Sequence, residues 1–308
     1  MYFLKGRLYL IILVIIGGIF SIHAQADNLK VVTWNLEWLT TKPSNKIPQS
    51  IRSEQDFSAL NDKFRTMSVD VLAFQEVNSI TAIKKVVGPF YNIYLSDRAK
   101  SAYRSQQFSD VNQYTGFAVS QKWLAHDPKD LVLSPNSKLR FGTYLILQRM
   151  GEPNVHLLSV HLKQGCIGKK SRKKACHQLI QQGEKLNSWM KERIKNKETF
   201  IVMGDFNHNL SFHGHSSQND WLWLALNHGI EKQIELVTAT TGAVCQVKSK
   251  HDPNSLYRYP SVIDHIIVSK PSHTSYAEQV LYSRQEALDH HLSDHCPVAS
   301  TINIRGIE

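Results

Sequence analysis

Thr199-Phe200-Ile201-Val202-Met203-Gly204-Asp205-Phe206-Asn207 is the stretch on which the reading of the fold turns. Thr199–Met203 is short and apolar on both of its alternating faces, the pattern of a strand covered on both sides. It then runs through a glycine into two polar residues that no buried strand needs for packing. The same layout recurs in Leu29–Trp34 before Asn35, Val69–Phe74 before Gln75-Glu76, Val155–Val160 before His161, and Val262-Ile263 before Asp264. Polar groups set repeatedly at the ends of apolar runs predict one shared rim.

Between these runs lie stretches with apolar residues at three- and four-residue spacing: Ser53–Met67, Ala175–Ile194 and Gln218–His228. That spacing predicts helices, with Trp189, Met190, Trp221, Leu222 and Leu224 facing a core. Strands alternating with helices predict a layered α/β arrangement with sheets inside and helices outside. The number of sheets stays open at this point. Thr41–Pro48 reads as a loop and the polar segment Ser96–Gln113 as a long mobile one. With no repeat and no Gly/Ser or Pro-rich linker, residues 27–308 are expected to form one domain.

Residues 1–26 read as a secretory leader. Lys5 and Arg7 precede the apolar run Leu8–Phe20, which ends in Ala24-Gln25-Ala26, a small-x-small cleavage pattern. The run is shorter than the roughly 20 apolar residues that span a bilayer, so export with cleavage is expected over an uncleaved anchor, and no stable membrane insertion. The chain carries a formal charge of +10, and loss of Lys5 and Arg7 leaves +8. Such a charge steers a protein toward polyanions without specifying a reaction. In an exported chain four cysteines favour disulfides, and the closeness of Cys166 and Cys176 makes them one pair, leaving Cys245 with Cys296. The spacings lack the paired C-x₂-C pattern of structural zinc.

The polar residues at the strand ends form an ordered set. Asn35 lies in Thr-Trp-Asn-Leu-Glu, Glu76 in Phe-Gln-Glu-Val, His161 in Ser-Val-His-Leu, Asp205 and Asn207 in Gly-Asp-Phe-Asn, Asp264 in Ile-Asp-His, and Asp294 and His295 in Ser-Asp-His-Cys-Pro-Val. Hard oxygen donors suit Mg²⁺, with Mn²⁺ or Ca²⁺ as alternatives. Two histidines in the same set add proton transfer near neutral pH, so the combination points to hydrolysis rather than metal binding alone.

In these motifs and their order, from about Leu29 to Ile304, the sequence resembles the endonuclease/exonuclease/phosphatase (deoxyribonuclease I-like) superfamily. The resemblance implies a four-layer α/β/β/α sandwich with two central mixed β-sheets and an active site at one end of them. It also implies that Glu76, Asn35 and Asp294 bind metal, and that Asp264 orients His295. Asp205 and Asn207 would position nucleophile and phosphate, and His161 would donate to the phosphate or leaving oxygen, with acid and base left open between the histidines. His265, directly after Asp264, is expected to point to the opposite face and to be structural; His208 and His213 are left to a polar loop or the fringe of the site.

Substrate choice within such a superfamily rests on loops. The run Lys169-Lys170-Ser171-Arg172-Lys173-Lys174 lies beside Cys166 and Cys176, and Lys169, Lys170, Arg172 and Lys173 are candidate phosphate contacts, against the alternative of a solvated charged loop. Arg258, flanked by Tyr257 and Tyr259, is a further candidate, with Arg104 and Arg140. The expected activity is that of a secreted Mg²⁺-dependent phosphodiesterase and nuclease, cutting DNA, with RNA as a further substrate to test, as a monomer. The alternatives are a sphingomyelinase-type lipid phosphodiesterase or phosphoinositide phosphatase, and a catalytically silent binding module or toxin subunit.

Overall fold

The computed structural model describes residues 28–148, 150, 152–210, 220–270, 272–274 and 276–304. The leader at 1–26 and His213 lie outside the described residues. Two mixed sheets make the centre. The first runs in space as β13 (His273–Thr274), β15 (Val298–Asn303), β1 (Asn28–Leu39), β2 (Val71–Val77), β4 (Tyr114–Ser120) and β3 (Tyr91–Leu95), with β14 (Glu278–Gln279) also on β15. The second runs as β5 (Leu124–His126), β6 (Thr143–Gln148), β7 (Val155–His161), β8 (Thr199–Asp205), β12 (Asp264–Ser269) and β9 (Ile234–Leu236). A separate hairpin pairs β10 (Gln246–Lys248) with β11 (Leu256–Arg258).

Strand alternation explains the layers, because successive side chains leave a strand on opposite faces. Val31, Val71, Leu145, Leu157 and Ile201 meet in the interior between the sheets. Their neighbours Val32 and Leu72 turn outward onto α1 (Glu54–Thr66) and α2 (Ile80–Val87), where Phe57, Phe64 and Ile83 cover them. Leu158 and Val202 turn outward on the other side, onto α3 (Lys174–Lys195) and α4 (Trp221–Asn227). A fifth short helix, α5 (Arg284–Asp289), packs through Ala287 with the first helical layer. The result is the four-layer α/β/β/α sandwich. No helix among the described residues is long and apolar enough to cross a membrane.

The predicted helices fall where expected: Ser53 caps α1 through a capping box with Asp56. Trp189 and Met190 are buried on α3. On α4 the expectation needs correction. Leu222 is buried, but Leu224 is 47% exposed and Trp221 is only partly covered, while Trp223 and Leu226 complete the buried face. Trp221 is drawn outward because its indole Nε1 donates to the Gly168 carbonyl at 2.7 Å. Ser96–Gln113 is also not an unstructured loop. It winds through two short 3₁₀ helices around a fully buried Arg98, whose guanidinium donates to the carbonyls of Gln106 (2.7 Å), Gln113 (2.9 Å) and Lys138 (3.3 Å).

Both expected disulfides form, Cys166–Cys176 and Cys245–Cys296. The second closes a span of 51 residues and ties the root of the β10–β11 hairpin to the residue after His295. Loss of a cross-link over a span of that length is expected to cost about 2–4 kcal/mol, chiefly by freeing the unfolded chain. A Cys245→Ser/Cys296→Ser variant should therefore unfold at lower urea with a somewhat steeper slope, because the freed unfolded chain exposes more surface, measured by tryptophan fluorescence.

Candidate active site

At one end of the sandwich the apolar interior gives way to buried polar residues. Thr33 donates to Gln75 Oε1 (3.3 Å) and Gln75 Nε2 donates to Ser159 Oγ (3.3 Å), linking β1, β2 and β7 under the rim. Above them the first sheet supplies Asn35 and Glu76, and the second supplies His161 and Asp205 at the adjoining ends of the parallel strands β7 and β8. Asp264 begins its strand rather than following it: the sequence placed the apolar run before it, but β12 is antiparallel to β8 and pairs Asp264 with Asp205, so its first residue reaches the same rim. His295 lies just before β15, with its carbonyl held by Tyr282 Oη (2.7 Å) and Trp34 Nε1 (3.2 Å).

Asp205 is the centre of the cluster. Its Oδ2 accepts from Asn35 Nδ2 (3.0 Å) and Asn207 Nδ2 (3.3 Å), and its Oδ1 from the Asn207 amide (2.7 Å). His161 Nε2 stands 3.5 Å and His295 Nε2 3.9 Å from the same Oδ2. His295 Nδ1 is 2.7 Å from Asp264 Oδ2. Glu76 accepts from Asn35 Nδ2 (3.3 Å) and from the Trp38 amide (3.1 Å), and lies 3.7 Å from His161 Nε2. Three of these contacts, Asn35 to Asp205, Glu76 to His161 and Asp264 to His295, join one sheet to the other.

The backbone is bent to achieve this. Glu37, Trp38, Glu76 and Asn207 all have positive φ, between 42° and 59°, although none is glycine. Between Asn35 and Leu39 the register of β1 against β2 shifts, a bulge that turns Glu37 and Trp38 into the cleft. Bulges and such φ values collect where side chains must be re-aimed.

The cleft, about 590 Å³, is lined by Glu76, His161, Asp205, Asn207, Asp264, Asp294 and His295, with Tyr259 and Ile167 among the residues at its sides. Burial sets its electrostatics. It pushes the Asp205 carboxyl up to about 7 against the pull of His295, and raises that of Glu76 against the pull of Arg140. Burial, with Arg140 and His295 as neighbouring cations, holds His161 well below the usual imidazole value. For His295 burial acts in the same direction, but the carboxylates of Asp264, Asp294 and Asp205 outweigh it and raise the value well above the ordinary one.

Five acidic groups, Glu37, Glu76, Asp205, Asp264 and Asp294, thus crowd one cleft, and the buried Asp264 Oδ1 finds no hydrogen-bond partner among the described residues. This hard-oxygen donor set fits a divalent cation. Asp205, Asp264 and His295 each offer a donor atom, all within 4.8 Å of one another. That cluster differs from the set drawn from sequence: Asn35 and Glu76 do touch, but Asp294 Oδ2 is held by Lys250 Nζ at 2.8 Å.

Other candidates divide. Arg140 is half-buried outside the cleft lining, donates to the Leu162 carbonyl (2.8 Å) and acts on Glu76 and Asp205. Arg258 is exposed and does not line the cleft; Tyr259, next along an extended chain and so facing the other way, does, in edge contact with Tyr257 at 4.9 Å. Arg104 is likewise exposed outside the lining. Lys169, Lys170, Arg172 and Lys173 are exposed on a loop that reaches the cleft through Gln164 and Ile167. His208 clamps that loop, bonding the Cys166 carbonyl (2.9 Å) and Asp220 (2.8 Å). His265 is structural as expected: fully buried, it accepts from the Leu210 amide (3.0 Å) and bonds Thr238 (2.8 Å). Sequence reading missed Glu37 and Lys250. Glu37 ends the motif Thr-Trp-Asn-Leu-Glu, two residues from Asn35, and that spacing was the available signal.

Two central mixed sheets between helical layers, with acids and histidines gathered at one end, are the arrangement of solved structures described as endonuclease/exonuclease/phosphatase, so the fold implied by the motif resemblance is the fold observed. A family model described as endonuclease-reverse transcriptase matches residues 170–299. Among solved structures, the chain is similar to an endonuclease/exonuclease/phosphatase from Bacteroides vulgatus, with a TM-score of 0.62 and 14% identity over 89% of this chain and 98% of that one. It is similar to a mannosyl-6-phosphatase from Bacteroides thetaiotaomicron (TM-score 0.58, 16% identity, 89% and 99% covered). It is also similar to D. rerio TDP2 in complex with a single-strand DNA product (TM-score 0.55, 13% identity, 90% and 100% covered). No curated protein sequence matches.

Proposed function

We propose that this chain is an exported, divalent-metal-dependent phosphodiesterase whose substrate is nucleic acid. The observation that carries the reading is the placement of the buried Asp205 carboxylate between two imidazoles, one of them fixed by Asp264. Asp205, with its carboxyl raised toward neutrality, is matched to take a proton from an attacking water. His295, held at Nδ1 by Asp264, keeps a proton at Nε2 for an oxygen of the phosphate or the leaving group. His161, kept neutral by its surroundings, orients a phosphate oxygen from the other side, and Asn207 fixes Asp205. When bound, a cation held by Glu76 with Asn35 would supply neutralisation of phosphate charge, leaving Asp205 and His295 free for proton transfer.

Support for nucleic acid comes from the basic charge of the chain, from the exposed cationic loop beside the cleft, and from the neighbour that holds a single-strand DNA product. The mannosyl-6-phosphatase neighbour supports a second reading, a sugar phosphate monoesterase. Two disulfides fit an oxidising compartment, in line with the expected leader.

The test is hydrolysis of plasmid DNA, RNA, sphingomyelin and mannose 6-phosphate by the mature protein with Mg²⁺, beside EDTA-treated protein and His295→Ala. Nicked plasmid that stays intact in both controls is the expected result. Release of phosphate from the sugar alone would move the protein to the second reading, cleavage of sphingomyelin alone to a lipid phosphodiesterase, and silence on all four to a binding module. Joint substitution of Lys169, Lys170, Arg172 and Lys173 by alanine is expected to flatten the dependence of log Kd for DNA on log salt, by about 0.7 to 0.9 for each phosphate those side chains neutralise. An unchanged slope would make that loop a solvated surface feature.

A further inference from the structure

A second cavity of about 380 Å³ adjoins the cleft, and Glu37, Gln49, Lys250 and Asp294 line both, so the two are separated by a wall one residue thick. Its floor is apolar, built from Val247, Tyr282, Ala287 and Leu292. Its rim is cationic or polar, with Lys248 and Lys250 on the β10–β11 side and His290 and His291 after α5. Among the described residues the carboxylates lining it are Glu37 and Asp294, and both are already engaged. Lys250 Nζ lies 2.8 Å from Asp294 and 3.7 Å from Glu37, while His291 Nε2 lies 3.4 Å from Glu37. His290 has an acid only outside the lining, with Nδ1 3.9 Å from Asp56. Among the described residues, Lys248 therefore lines the cavity with no lining acid paired to it, and His290 adds an imidazole that can donate or accept a hydrogen bond.

An apolar floor under a rim of hydrogen-bonding groups that includes one lysine without a lining acid is complementary to a ring or sugar that carries a phosphate. A bare anion would have no use for the floor, and a neutral apolar ligand none for the rim. We propose that this cavity is a subsite for the nucleotide unit adjoining the scissile phosphate, with Lys248 and His290 on its phosphate and the Val247–Leu292 floor under its base or sugar. This rests on the nucleic-acid reading of the cleft and adds which residues hold the flanking unit. The Cys245–Cys296 disulfide fixes the hairpin that carries Lys248 against the segment that carries His295, so subsite and cleft keep one spacing.

The experiment compares two diesters on each protein sample with Mg²⁺: bis(p-nitrophenyl) phosphate, which lacks a flanking nucleotide, and a single-stranded oligonucleotide. In Lys248→Glu and His290→Glu, kcat/KM for the oligonucleotide is expected to fall about tenfold further than for the small diester, the scale of one charge-assisted hydrogen bond. Lys248→Arg is expected to keep the wild-type ratio. The ratio within one sample is independent of the folded fraction, so destabilisation cannot imitate the result. A ratio unchanged in both glutamate variants would overturn the subsite while leaving the nuclease reading standing. Wild-type protein that hydrolyses the small diester but leaves the oligonucleotide intact would overturn the nucleic-acid reading, and the subsite with it.

Discussion

Replacement of His295 by alanine is expected to lower phosphodiester turnover by about three orders of magnitude, within the range that a positioned acid or base contributes. The side chain is held at 2.7 Å by Asp264 and faces Asp205 across the cleft, so alanine removes the donor and leaves the carboxylate of a buried Asp264 without it. Asp264→Asn should lose less, because the imidazole stays while the carboxylate that sustains its charge is gone. The double variant should be little worse than His295→Ala alone, since the two side chains act as one unit. Full multiplication of the two single losses, measured as kcat on a small diester, would show that Asp264 acts apart from His295.

Gly204→Ala is expected to be the most damaging glycine-to-alanine change among the described residues. A Cβ at Gly204 would sit 1.9 Å from the Val160 carbonyl oxygen and 2.7 Å from its carbon, on the strand to which β8 is hydrogen-bonded. The residue also has φ +152°, where side chains are rarely found. The obstacle is backbone, so relief requires β7 and β8 to part, and overpacking of this kind costs about 3 kcal/mol or more. His161 and Asp205 follow directly on those two strands. The variant should therefore lose activity and show a lowered midpoint in thermal unfolding; a protein with wild-type midpoint and activity would mean that the strands separate more easily than their pairing implies.

Much of this was legible in the sequence for a simple reason: residues that bind at a rim must interrupt apolar strands, and interruption is visible. Glu76, His161 and Asp205 each follow such a run and each stands at the rim. The α3 stripe and both disulfide pairings were readable on the same terms, since burial and loop closure leave periodic or countable marks. What escaped depends on direction within irregular chain. Glu37 enters the cleft through a bulge whose φ values no residue type demands, and Lys250 arrives on a hairpin turn far along the sequence. Arg258, read as a phosphate contact, stands exposed outside the cleft lining, which its neighbour Tyr259 joins instead. Ser96–Gln113 looked mobile because its order comes from one buried guanidinium reading distant carbonyls, a three-dimensional fact without a local pattern.

The contacts of Asn35 with Asp205, Glu76 with His161, and Asp264 with His295 work as the teeth of a clasp whose two halves are the two sheets. Neither half holds a complete set of chemical groups, so turnover reads out the alignment of one slab upon the other. A slip of about an ångström, too small to expose the apolar interior, is already enough to cost a large part of the rate. Activity in this protein should accordingly fade under mild denaturant before spectroscopy registers any loss of structure.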